Sequence, residues 1–309
     1  MWIRDPGKIV DSLDFLGIHN NCLYLLKGRE AMIIGGAMSS AAPSLEKQFS
    51  AMDFELDRLK YLVVTHSHFD HCGAVPYLKR KFPHVQILAS EYSEKVFSRD
   101  KAVNFIAVGN KRMIDSLGLQ SEYERLNLKF DGIKVDRVIT EKDVIDLGDG
   151  IEVHFMEVPG HTQCSIAVYV PKLKALFPSD SAPFPTDDVN RLAFPSAQYD
   201  FGMYKESLEK MASCEVNVCA FEHHGAVTGD LARKVLGEGL RFTEKMENHI
   251  IELYQQMGDL DKVAQKVAAE AMEWNKLEFL NMELMMAVSK AEIRNVLRYA
   301  KIISDAPAP

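Results

Sequence analysis

Residues 65 to 73 read THSHFDHCG and set three histidines and an aspartate, His66, His68, Asp70 and His71, within six positions. Imidazole nitrogen and carboxylate oxygen are together the donors that zinc, iron and manganese accept. The stretch follows an apolar run, YLVV, that reads as a strand. If extended backbone persists past Thr65, period-two alternation projects His66 and His68 to the same side, where they can reach one ion. Asp70 and His71 come where the chain turns toward a helix starting near Gly73, and can point at a neighbouring ion. Four polar groups crowded at one strand end need a common partner, which a cation supplies.

Further donors are expected at other strand ends. EVPGHTQCS places His161 after a strand and a Pro-Gly turn, LFPSD ends a strand at Asp180, and VCAFEHHG ends another at His223 and His224. Each follows an apolar run and precedes a loop, the arrangement by which a rigid scaffold delivers chemistry from its edge. Seven groups would fill two metal sites. His19, His84, His154 and His249 stand alone and read as ordinary histidines.

Two divalent ions lower the pKa of a shared water toward neutrality and polarise a carbonyl or phosphoryl oxygen, so hydrolysis is the expected reaction. The expected cofactors are two divalent metal ions, zinc, iron or manganese, with zinc or iron favoured. A thioester suits such a site because its leaving thiol has a pKa of about 8.5 and departs without strong acid help.

The elements that must hold these residues alternate in the first two thirds of the chain. NCLYLL, AMIIGG, VQILAS, IEVHFMEV and SIAVYV read as strands, AVPYLKRKF and MYKESLEKMA as helices, and DLGDG between Ile145 and Ile151 as a hairpin turn. From Gly229 apolar residues recur at helical spacing instead: Leu236, Leu240, Thr243, Met246, Ile250, Leu253, Met257. A long helix should end near Gly258, Asp259 should cap the next, and a Met-rich helix should close the chain. The reading is an α/β catalytic body over residues 1–228 and a helical extension over 229–309, whose expected uses are a lid, a homodimer contact or a partner-binding surface. The long connection after Asp180 carries Phe184, Phe194 and Tyr199, candidates with His223 for lining a substrate pocket.

THSHFDHCG, PGHT, the strand-terminal Asp180 and HHG together resemble the successive metal motifs of the metallo-β-lactamase superfamily, over about residues 15 to 228. The resemblance implies an αββα sandwich with the site at one edge of the paired sheets. It implies that His66, His68 and His161 hold a first metal, that Asp70, His71 and His224 hold a second, and that Asp180 bridges them. His224 is preferred to His223 because the last ligand of that pattern commonly precedes a glycine. Asp70 would also hold or deprotonate the attacking water. Within the superfamily the chain resembles thioesterases of the quinolone-signal response type, which act on an aminobenzoylacetyl-CoA. Two departures stand out. An acidic residue usual at the end of an early strand is replaced by Ile34, so a carboxylate that would buttress a ligand is absent from that place. Cys164 replaces a usual glycine after His161.

The net charge of −8 argues against nucleic acid, which needs clustered cations. No apolar run reaches the roughly 18 residues of a membrane span, and no secretory leader is read at the start. Five scattered cysteines do not form a disulfide framework, which fits a reducing cytoplasm. The expectation is a cytoplasmic metal-dependent hydrolase of a small-molecule thioester or ester. The alternatives are a lactonase or phosphodiesterase, or a signalling effector with secondary hydrolase activity.

Overall fold

The computed structural model describes residues 1–277 and 279–304. After β1 (Trp2–Ile3) the chain builds a first sheet from β2 (Gly7–Val10), β3 (Leu13–Ile18), β4 (Asn21–Lys27), β5 (Ala31–Ile34), β6 (Leu59–Val63), β7 (Gln86–Ala89) and β8 (Arg137–Val138). These seven pair in that order. The second sheet uses β9 (Val144–Asp146), β10 (Glu152–Glu157), β11 (Ile166–Val170), β12 (Ala175–Phe177), β13 (Val218–Ala220) and β14 (Ala226–Thr228), with β1 joining the β14 edge. The helices are α1 (Ala42–Ala51), α2 (Phe69–Cys72), α3 (Val75–Lys81), α4 (Glu91–Phe97), α5 (Asp100–Ser116), α6 (Gln120–Arg125), α7 (Phe201–Ala212), α8 (Asp230–Met257), α9 (Leu260–Asn275) and α10 (Met282–Tyr299).

The sheets face each other because their strands carry two apolar faces. In β4, Cys22, Tyr24 and Leu26 point into the layer between the sheets, against Phe155, Val168 and Phe177. Leu23 and Leu25 point the other way and pack with Leu45 and Phe49 of α1 and Ile106 of α5. The outer face of the second sheet, through Ala167, Leu176 and Cys219, is covered by Leu208 of α7, Leu236 and Ile250 of α8, Val263 of α9 and Ile293 of α10. The result is the αββα sandwich, with a helical C-terminal part on one side. At about 1.5–3 kcal/mol for each fully buried large apolar side chain, the three layers dominate stability.

The C-terminal helices begin and end where their capping residues say. Gly258 at φ 64 closes α8, Asp259 accepts from the amides of Asp261 and Lys262 to start α9, and Asn281 accepts from Leu284 to start α10. Leu236, Thr243, Met246, Ile250 and Leu253 are buried, whereas Met257, at the end of the same stripe, is exposed.

Strand direction explains why distant motifs meet. β10 and β12 both pair antiparallel with β11, and β12 runs parallel to β13. The C-terminal ends of β10, β12 and β13 therefore share one edge, and these strands lead to His161, Asp180 and His223. β6 delivers His66 to the same place, fastened to the second sheet by a hydrogen bond from Ile166 N to Thr65 O at 2.8 Å. Two buried asparagines clamp the intervening turn. Asn21 donates to Asp70 O at 2.7 Å and accepts from Met38 N, and Asn110 donates to Phe69 O at 3.0 Å and accepts from Ser39 N at 2.8 Å. Tyr24, fully buried, reaches through the sandwich to donate to the carbonyls of Phe221 and Gly225, on either side of His223.

Candidate metal centre

His66, His68 and His161 form one group. His161 Nε2 lies 3.3 Å from His66 Nε2 and 3.0 Å from His68 Nδ1. Asp70, His71 and His223 form a second, with His223 Nε2 3.1 Å from His71 Nε2, and Asp70 Oδ2 3.2 Å from His71 Nε2 and 3.5 Å from His223 Nε2. Between them stands Asp180, whose Oδ2 is 3.1 Å from His71 Nε2, 3.5 Å from His223 Nε2 and 3.8 Å from His161 Nε2.

These residues fit divalent ions. Nitrogens bound tetrahedrally at about 2.0–2.1 Å stand roughly 3.3 Å apart, close to the spacings seen here. Three outward nitrogens are engaged as well: His66 Nδ1 lies 3.0 Å from Ser179 Oγ, His161 Nδ1 2.7 Å from Ser196 O, and His223 Nδ1 2.8 Å from Asn20 O. A carbonyl can only accept, so His161 and His223 carry their proton on Nδ1 and turn an Nε2 lone pair into the cluster.

The electrostatics fall into two halves. Burial, reinforced by neighbouring imidazoles, drives His66 well below the usual range, takes His68 down to about 3 and lowers His161. All three are neutral donors at pH 7. For His71 and His223 burial acts in the same direction, but Asp180 and Asp70 outweigh it and raise both, with Glu222 adding to the effect on His71. Burial opposes ionisation of Asp70 and Asp180, yet His71 and His223 hold Asp70 at about 2 and Asp180 well below the carboxylate range.

The two adjacent histidines at the end of β13 are placed differently. His223, not His224, faces His71, Asp70 and Asp180. His224 takes the left-handed backbone conformation at φ 59, followed by Gly225 at φ 88, so consecutive side chains leave the strand end in different directions. The His224 ring stacks on His19 with centroids 4.6 Å apart, and burial takes its pKa down to about 3. Its amide donates to His19 O at 2.8 Å and its carbonyl accepts from Trp2 Nε1 at 2.8 Å, so the residue fastens the loop to the N-terminal segment.

Beside the cluster opens a cavity of about 250 Å³. Its wall includes Phe184, Phe194 and His223, as the sequence suggested, and Leu277, Phe279, Met285 and Glu292 from the C-terminal part. Tyr199 does not join them. Its amide donates to Gly160 O at 3.0 Å, and the residue is 44% exposed in a separate cleft with Tyr92 and Met203. Cys164 is buried between Ser67 Oγ and Thr162 Oγ1, each 3.2 Å from its sulfur, and takes no part in the cluster. Burial pushes the Cys72 thiol well up, which removes it as a nucleophile.

Two buried carboxylates escaped the sequence reading. Glu222, directly before the histidine pair, is 2% exposed with Oε2 3.3 Å from His71 Nδ1. Glu292 sits on α10 at the cavity wall, where desolvation raises its pKa to about 8 against a partial opposing hydrogen bond from Ser196. A carboxyl whose folded pKa is raised stabilises the fold fully below about pH 4.5, and that contribution fades as pH rises toward 8. Replacing Glu292 with Gln should flatten this slope. Between pH 5 and 9 the wild type should lose on the order of a few kcal/mol relative to the variant, measured as the difference in urea-unfolding free energy at each pH.

The metallo-β-lactamase superfamily model matches residues 17–224, two thirds of the chain. The chain belongs to that superfamily. Members of the metallo-β-lactamase superfamily are metal-dependent hydrolases, and the His/Asp cluster fits that chemistry. Among curated proteins, the metallo-β-lactamase fold-containing protein ST1585 of Sulfurisphaera tokodaii is 30% identical over 194 residues, 62% of this chain and 70% of its own length. An atrochrysone carboxyl ACP thioesterase of Claviceps purpurea is 24% identical over 236 residues, 76% of this chain and 58% of its own length. Among solved structures, the metallo-β-lactamase family protein TTHA1429 of Thermus thermophilus shares the fold with a TM-score of 0.66 at 16% identity, covering 96% of both chains. Among the described residues no helix is long and apolar enough to cross a membrane.

Proposed function

We propose that this superfamily member is a dinuclear-metal-dependent thioesterase that accepts a compact apolar acyl group. His66, His68 and His161 would hold one ion, Asp70, His71 and His223 the other, and Asp180 both, with zinc or iron the favoured metals. When bound, such a pair makes a water nucleophilic near neutral pH and withdraws charge from the carbonyl. The protein's own groups do the rest. Asp70, ionised and at the cavity wall, accepts a hydrogen bond from the attacking water and orients it. Phe184, Phe194 and Phe279 exclude bulk solvent and hold the acyl chain.

The observation that carries this reading is the cavity lining. Among the described residues it contains aromatic and aliphatic side chains and no Lys or Arg. A phosphodiester or a carboxylate-bearing lactam would desolvate an anion there without a protein cation to receive it. A thioester carbonyl is neutral, and its thiol leaves without a strong acid. The distant match to an ACP thioesterase supports the same choice.

The test is a panel on metal-loaded protein: acyl-CoA and acyl-N-acetylcysteamine of two to eight carbons, aromatic acyl thioesters, a γ-lactone, a chromogenic phosphodiester and a chromogenic β-lactam. Thioester kcat/KM should exceed that for every other class by at least about 100-fold, roughly 2.7 kcal/mol of barrier. A phosphodiester or lactam turned over faster than any thioester would overturn the proposal.

A further inference from the structure

Glu222, directly before the histidine pair, is buried beside a histidine of the second metal group. Its Oε2 accepts from Thr65 Oγ1 at 2.5 Å and lies 3.3 Å from His71 Nδ1. Its main-chain carbonyl accepts from Cys22 N at 2.7 Å, which pins the residue to β4. Its other oxygen, Oε1, is buried without a hydrogen bond, as is His71 Nδ1, which has no better-placed acceptor among the described residues. A carboxylate so deeply placed costs several kcal/mol unless a positive group answers it. No Lys or Arg pairs with it among the described residues, and His71 is the ring that faces it, at 3.3 Å.

The backbone opposite has been cleared to admit it. A Cβ on Gly35 would stand 2.6 Å from Glu222 Oε1, and Gly35 adopts φ 92, a conformation that side-chain-bearing residues rarely take. Ile34, one residue earlier at the end of β5, is fully buried in the apolar layer between the sheets and offers no acceptor. The carboxylate expected at that strand end is thus absent, and Glu222 reaches His71 from the opposite sheet.

We infer that Glu222 is a positioning residue for the second metal: it receives the Nδ1 proton of His71, fixes that ring's tautomer and tilt, and so aims the Nε2 lone pair at the ion, with Gly35 supplying the space. The inference rests on the metal-centre reading above. An oxygen partner of this kind on a liganding histidine is commonly worth 10- to 100-fold in metal affinity.

Zn²⁺ titrations of metal-free protein against a chromophoric chelator, with thermal melts with and without Zn²⁺, separate the possibilities. Wild type should bind two ions. Glu222→Gln should melt like wild type without metal, keep the first ion at unchanged affinity, bind the second about 10- to 100-fold more weakly, and lose part of the metal-induced rise in Tm. Thr65→Val, which removes only the hydroxyl that fixes Oε2, should shift the same ion in the same direction by a smaller factor, and carries the test if Glu222→Gln does not fold. Wild-type protein that binds no zinc would sink the metal-centre reading itself. Two-ion wild-type binding with unchanged second-ion affinity in the folded variants would overturn the role of Glu222 alone.

Discussion

Asp180→Asn is expected to leave a folded protein with at most one tightly held metal ion and hydrolysis reduced by roughly three orders of magnitude, about 4 kcal/mol of barrier. The size of the effect follows from position. Asp180 Oδ2 is the oxygen that approaches both groups, 3.8 Å from His161 and 3.1 Å from His71. Asparagine preserves the shape but removes the charge that answers two cations and holds the raised pKa of His71 and His223. Stability measured without metal should fall at neutral pH, because His71 and His223 hold Asp180 well below the carboxylate range, and removing one partner of a buried cluster leaves the others unanswered. Metal analysis on the same sample as the rate assay checks the claim; a variant with two ions and near-wild-type turnover would refute it.

The second large effect separates adjacent residues. His223→Ala should lose the second ion and about 10²- to 10³-fold in kcat, because its Nε2 faces His71, Asp70 and Asp180. His224→Ala should keep both ions and most of kcat, and cost about 1–3 kcal/mol of stability through loss of a buried ring stacked on His19. Parallel measurement of metal stoichiometry and urea midpoints on the two variants decides the matter. The reverse pattern, with His224→Ala losing the ion, would restore the assignment suggested by the glycine after it.

Most of the site could be read before the fold because its chemistry is local in sequence. H-x-H-x-D-H needs only a strand that ends and a helix that begins, and β6 and α2 provide them. His161 and Asp180 were legible since each ends an apolar run, and the direction of β10 and β12 brings those ends together. The choice between His223 and His224 depended on one backbone angle, the positive φ of His224, which residue type alone does not reveal. Glu222 was invisible for a related reason: an acid beside a histidine pair reads as solvated until the missing Cβ of Gly35, on the other sheet, is seen to make room for it. Helical spacing marked the buried face of α8, but did not show that Met285 and Glu292 of α10 would wall the cavity. Tyr199 looked like its aromatic neighbours in the loop, and only the fold places it in a different cleft, with Tyr92 and Met203.

The central claim is that seven side chains from both sheets hold a pair of cations beside an apolar acyl cavity. Anomalous diffraction from crystals of the zinc- or iron-loaded protein, collected on both sides of the metal edge, tests it most directly. Two peaks per chain are expected, roughly 3.5–4 Å apart, one among His66, His68 and His161, the other among Asp70, His71 and His223, with Asp180 touching both. A single peak bound by other residues, or none after loading, would contradict it.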